Sequence, residues 1–269
     1  MQKGDLFMKK KAFLGAVIAA ALAVSGTVFA SDADFTIDVM HGESDMVFEN
    51  KPFIKNSEVY LPLRELMNKI DESAAVEWNG QMMTVSVKTK DNAYLLTING
   101  AMVSVNPEAR DAATFIQPAD NNVLLENDRT YIPYSALTIM FKEPENPGRV
   151  NFAVFDDAQK YELAKVWAHA LVTRDGKPRY DIMTEDMQKA FVEYQKEYIS
   201  GEDFNYVIGY SSPWTVSYNI VVCDNKAQIT YFQTDSSHTV YSVTEEITFS
   251  EENGKLCVSA CDEVQRDVL

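Results

Sequence analysis

Val59-Tyr60-Leu61-Pro62-Leu63-Arg64-Glu65-Leu66-Met67 is the stretch whose reading decides the fold. Proline lacks an N–H and fixes φ near about −65°, so Pro62 ends a strand and begins a helix without forfeiting a hydrogen bond. Beyond it, Leu63, Leu66, Met67 and Ile70 fall at i, i+3, i+4 and i+7, which predicts a helix with one buried face. The phrase returns as Thr130-Tyr131-Ile132-Pro133-Tyr134-Ser135-Ala136-Leu137, and Tyr131 lies 71 residues after Tyr60. Tyr134, Leu137 and Phe141 then repeat the apolar stripe. The unit, a strand running through proline into a helix, occurs twice.

Between Phe35 and about Val154 the punctuation is that of hairpins. Asn79-Gly80 separates Ala75–Trp78 from Met83–Val87, and Asn99-Gly100 separates Tyr94–Ile98 from Met102–Val105. Asn-Gly supplies the two positive φ values of a tight hairpin turn. Asn56-Ser57 and Asn127-Asp128 are weaker turns, each just before a Tyr-aliphatic-Pro phrase. Tyr60–Arg64, together with Val76-Glu77-Trp78-Asn79-Gly80, resembles the copper amine oxidase N-terminal (stalk) domain of secreted and surface proteins of Gram-positive bacteria. The resemblance implies a non-catalytic module outside the cytoplasm. The second copy departs from the family phrase, with Ser135 where arginine is usual.

Glu143-Pro144-Glu145-Asn146-Pro147-Gly148 stops regular structure and marks a linker. A short strand, Val150 to Phe155, is assigned to the first sheet. A helix from about Asp156 to Thr173 follows, with Tyr161, Ala164, Trp167, Ala168 and Leu171 on one face. Thr184 caps a second helix, whose inner side is expected to hold Met187, Phe191, Tyr194 and Tyr198. Four strands follow: Trp214–Cys223, Lys226–Thr234, Thr239–Ser250 and Lys255–Cys261. The expected class is α+β in two domains, 31–153 and 154–269. The first is a hairpin-rich repeated strand-helix module, and the second packs helices on a curved antiparallel sheet. With Trp167, Arg174-Asp175-Gly176-Lys177 and Ser211-Ser212-Pro213-Trp214, the second domain resembles the nuclear transport factor 2-like (cystatin-like) superfamily. That resemblance implies a cone-shaped cavity, for which Trp167, Tyr206, Trp214 and Tyr218 are the candidate lining aromatics.

Residues 1–30 read as a signal peptide. Lys9, Lys10 and Lys11 precede an apolar run from Ala12 to Val24, and Val28-Phe29-Ala30 is a cleavage site before Ser31. The apolar run is too short for a spanning helix, which needs about 20 residues. Residues 1–30 carry four lysines and one aspartate, so removing them takes the net charge from −16 to −19. A chain this acidic is repelled by nucleic acid and by anionic envelope polymers, so retention at the envelope needs specific contacts or cation bridging.

Candidate chemistry is sparse. His41, His169 and His238 are far apart, no His-x-His or Cys-x-x-Cys pair occurs, and Asn205-Tyr206 is followed by Val207 where a quinone-forming tyrosine would need an acid. No catalytic residue, metal or cofactor is assigned. Cys223, Cys257 and Cys261 are read as thiols; the last two lie about 13 Å apart on an extended strand, too far to pair. Asp156-Asp157, Glu245-Glu246 and Glu251-Glu252 read as solvated faces. Gly209-Tyr210-Ser211-Ser212-Pro213 lacks the second glycine of a nucleophile elbow.

These features point to an exported, non-catalytic envelope protein whose stalk-type adhesion or spacer module is joined to a binding module. The expected partner is a cell-envelope component. Two alternatives stand beside it: an isomerase- or dehydratase-like enzyme using the second-domain pocket, and a regulator or inhibitor of an envelope enzyme that docks through a sheet edge.

Overall fold

The structure is a computed structural model that describes residues 35–42, 44–56, 58–100, 102–106, 113–116, 122–140, 150–199, 205–209 and 211–268. The signal-peptide and Pro144–Gly148 linker readings fall outside the described residues. The chain divides into two compact units. One lies within Ser44–Glu143, and the other takes Ala30–Glu43 with Pro144–Leu269.

The strands begin with β1 (Thr36–His41) and the two-residue β2 (Ser44–Asp45). The first unit continues with β3 (Phe53–Lys55), β4 (Glu58–Pro62) and α1 (Leu63–Ile70). A five-stranded antiparallel meander follows: β5 (Ala75–Asn79), β6 (Thr84–Lys88), β7 (Ala93–Thr97), β8 (Met102–Val105) and β9 (Ala113–Ile116). The unit closes with β10 (Leu124–Glu126), β11 (Arg129–Pro133) and α2 (Tyr134–Met140).

The sequence repeat is an approximate internal two-fold. The second sheet has the order β10-β11-β4-β3, two hairpins joined through the antiparallel pair β4–β11. In that pair Tyr60 faces Pro133 and Pro62 faces Tyr131, so each phrase meets the other head to tail. Leu63, Leu66 and Met67 of α1 are buried, while Arg64 stays exposed, as the helical period predicts. Phe53 stacks on Tyr60 with ring centres 5.2 Å apart.

Turn chemistry differs from the sequence expectation. Asn127 and Asp128, read as the weaker signal, both take positive φ (49° and 61°) and join Glu126 to its partner Arg129 in a two-residue turn. Asn79-Gly80 does not do this. Its turn runs from Gly80 to Met83, with Asn79 Oδ1 accepting from the N–H groups of Gln81 and Met82 and positive φ at Met83. The side chain there substitutes for backbone turn geometry.

The second unit contains β12 (Val150–Phe155), α3 (Ala158–Thr173), α4 (Lys177–Asp181), α5 (Glu185–Tyr194) and a π-helical turn at Gln195–Ile199. Then come β13 (Trp214–Cys223), β14 (Lys226–Thr234), β15 (Val240–Glu252) and β16 (Lys255–Val268). Within this unit the sheet runs β16-β15-β14-β13-β12-β1. Val150–Phe155 therefore does not belong to the first sheet: it pairs antiparallel with β1 and parallel with β13. The sheet is mixed rather than wholly antiparallel, and α3, α4 and α5 lie on the crossover between β12 and β13. All six β12 residues are buried, which explains why Val-Asn-Phe-Ala-Val-Phe shows no alternation.

Helix α3 begins where Asp157 Oδ1 accepts from Gln159 N and Lys160 N. It packs on β13, β14 and β16 through Tyr161, Ala164, Trp167 and Ala168. β16 extends beyond its predicted end at Cys261, and two register shifts along β15–β16 bend the pair. Met187 and Phe191 pack on the core as expected, but Tyr194 and Tyr198 are exposed. They contact each other at 5.3 Å instead.

Candidate functional site

The four aromatics expected to line one cavity separate into two sets. Trp167 is buried in α3, and its Nε1 donates to Glu245 Oε2 at 3.0 Å. Tyr218, half-buried on β13, reaches the same cluster through Tyr231, 6.5 Å away between ring centres. Tyr206 and Trp214 lie instead about the turn after α3. The Tyr206 carbonyl accepts from Gly176 N at 2.7 Å, and its ring meets Tyr180 at 5.3 Å. Trp214 is 40% exposed beneath the Arg174 guanidinium, 6.0 Å from its ring centre.

Around Trp167 the structure builds a polar network that composition did not single out. Arg179, at the end of α4, donates from Nε to the Trp167 carbonyl at 2.8 Å. Its Nη2 donates to Tyr231 Oη at 2.8 Å and to Glu245 Oε2 at 3.1 Å. The Tyr231 hydroxyl donates to Glu245 Oε2 at 2.8 Å, and the guanidinium lies 4.5 Å over the Trp167 ring. One carboxylate oxygen thus accepts three bonds, and one buried cation is satisfied from α3, β14 and β15. Glu245 is not part of a solvated face, because it turns inward with Val243, Ile247 and Phe249. Burial, then the nearby Glu245 carboxylate, pushes the Cys261 thiol up to about 12, so it is not a nucleophile at neutral pH. The three cysteines are free.

The histidines stay apart: His41 on β1, His169 exposed on α3, and His238 in the turn between β14 and β15. Among the described residues, the side chains that approach as a metal-ligating group are Asp156, Cys223 and Asp224. Asp156 Oδ2 already accepts from Asp224 N at 2.9 Å, and the Lys160 ammonium donates to the Asp224 carbonyl.

The first unit carries an open cleft of about 450 Å³. Its walls come from the start of α1, the β10–β11 hairpin and the β5–β6 hairpin, with Arg64, Glu65, Trp78, Leu125, Asp128 and Arg129 among the lining residues. The indole of Trp78 is 43% exposed and folds back over the turn. A Cβ at residue 80 would lie 3.2 Å from Trp78 Nε1, so Gly80 gives the ring room. Glu65 is fastened away from α1: it accepts from Glu49 N at 2.8 Å and from the amide groups of Asn50. Burial raises its carboxyl, but the bonds from Asn50 and Glu49 and the Arg129 charge together hold it below the ordinary range. Among the described residues neither Arg64 nor Arg129 forms an ion pair.

The corresponding place in the second half is closed. Glu58, 71 residues before Arg129, is buried, and its Oε1 accepts from Ser135 N at 3.3 Å at the start of α2. Burial drives its carboxyl up to about 7 against these hydrogen bonds. Sequence reading noticed Arg64 and Trp78 but not Arg129. The signal for Arg129 was present in the repeat itself, as an acid in one copy and a base in the other.

Residues 40–144 match the family model of the copper amine oxidase N-terminal domain. The resemblance read from the Tyr60–Arg64 and Val76–Gly80 phrases is found over that stretch, which spans the cleft. No curated protein and no solved structure matches the chain. Among the described residues, no helix is long and apolar enough to cross a membrane.

Proposed function

We propose that the protein is an exported, non-catalytic component of a Gram-positive cell envelope, a stalk-type binding and spacer module joined to a second α+β module. The observation that carries this reading is the copper amine oxidase N-terminal match over residues 40–144, because that domain is a non-catalytic one. The signal-peptide pattern before Ser31 supports export. The cleft in the matched unit gives the module somewhere to bind.

The second unit we read as nuclear transport factor 2-like, on the strength of a long helix packed across a bent antiparallel meander. Its parallel β12–β13 pair adds to that plan. The isomerase alternative requires a free acid in an apolar pocket. Glu245, the inward-facing acid of β15, has one oxygen engaged by Trp167, Arg179 and Tyr231, which favours a structural role for it.

Fractionation tests the proposal. The protein should be recovered from the envelope or medium with Ser31 as its first residue. Recovery from the cytoplasm with an intact leader would refute it.

A further inference from the structure

The two halves of the first unit answer the same structural position in opposite ways. Where α2 begins, the strand of the other copy supplies a carboxylate, Glu58, which accepts from the backbone N–H of Ser135. The two-fold places Arg129 where Glu58 stands and Arg64 where Ser135 stands, since both pairs differ by 71 residues. The start of α1 has no side-chain cap. The start of α1 therefore lacks the internal carboxylate that the start of α2 has, carries two guanidinium groups in its place, and is open as a cleft.

We propose that this cleft binds a carboxylated sugar, its carboxylate held by Arg64 and Arg129 and its ring laid on Trp78. Guanidinium groups match a carboxylate in charge and in fork geometry. The exposed indole offers a flat apolar face to the C–H side of a pyranose, while Asp128, also on the wall, accepts from its hydroxyls. The volume of about 450 Å³ lies within the range of small-ligand sites. A free carboxylate would use the arginines alone, and an acidic peptide would set further carboxylates against Glu65 and Asp128. The wall thus favours one negative charge on a polyhydroxylated ring. This inference rests on the reading of the unit as a binding module.

The test is calorimetric titration of purified protein with D-glucuronate, with D-glucose, acetate and a diglutamate peptide as comparisons, while in wild type the Trp78 indole N–H resonance reports where the sugar binds. Saturable binding of glucuronate is expected, at least tenfold tighter than any of the three. Arg64→Ala, Arg129→Ala and Trp78→Ala should each weaken it at least tenfold, and the exposure of these side chains leaves the fold intact. Arg129→Glu installs at α1 the acid that Glu58 supplies at α2; it should abolish binding without lowering the thermal midpoint. Absence of saturable glucuronate binding, or binding unchanged in the arginine variants, overturns the proposal. Acetate or diglutamate binding as tightly as glucuronate overturns the assignment to a sugar. None of these outcomes depends on where the protein resides, so export can fail while binding holds, and the reverse.

Discussion

Replacing Glu58 by glutamine should change how stability depends on pH. The Glu58 side chain is 1% exposed, and burial raises its carboxyl from 4.5 to about 7. A raised folded value means that the folded state holds the proton between those limits while the unfolded state releases it. Stability is then fully present below about 4.5 and falls as pH rises toward 7. At about 1.36 kcal/mol per pH unit, this displacement costs the folded first unit about 3 kcal/mol once the group is ionised. Glutamine keeps an oxygen for Ser135 N and cannot ionise. The variant should therefore match wild type near pH 4 and exceed it by about 3 kcal/mol near pH 8. Urea titrations across this range would measure the difference, using the methyl resonance of Met67, buried in α1, as the reporter for this unit. Parallel pH profiles for the two proteins would refute the reasoning, because Glu58 would then be solvated or already ionised at low pH.

Removing one partner of the buried pair in the second unit should be costly. Glu245→Leu leaves Arg179 charged and unanswered and should lose about 3–5 kcal/mol in denaturant melts, whereas the double change with Arg179→Met should cost less than the single; a double variant weaker than either single would contradict this. In α1, Leu66→Ala should cost about 2–5 kcal/mol, since Leu66 is fully buried, while Pro62→Ala should cost under about 1 kcal/mol; the reverse order would show the helix face misassigned. Incubation with Cu²⁺ should produce no quinone chromophore and no amine-dependent peroxide, given the separate positions of His41, His169 and His238; either product would overturn the non-catalytic reading.

Local rules were legible wherever one residue type imposes one geometry. Pro62 and Pro133 marked both strand-to-helix junctions, and the i, i+3, i+4 stripe picked out Leu63, Leu66 and Met67. Thr184 marked the start of α5, whereas Asp157, read as part of a solvated face, proves to be the cap of α3. What escaped was pairing between residues distant in the chain. Nothing local in Val150–Phe155 says that it sits between β1 and β13, because a short, mostly apolar strand without alternation fits any buried position. The short α4 was not anticipated, although its Arg179 is the cation of the buried network. Glu245 was hidden by its neighbour. As a pair, Glu245-Glu246 looks solvated, but the strand period sets Glu245 with Val243, Ile247 and Phe249, and that alternation was available in the sequence.

The repeat carried more functional information than any motif did. A two-fold scaffold makes the two copies each other's control: where both keep Tyr, an aliphatic residue and Pro, the shared demand is packing at the β4–β11 seam. Where they diverge at matched positions, the fold has not required the difference. Glu58 against Arg129 is a full reversal of charge, and Ser135 against Arg64 adds a second cation on the same side. The start of α2 is satisfied by a carboxylate from the other copy and is closed, at the cost of a buried acid. The start of α1 is left uncapped and is surrounded by guanidinium groups and an exposed indole. Divergence that trades internal satisfaction for an open, charged surface is what a binding role would select and what packing alone would not.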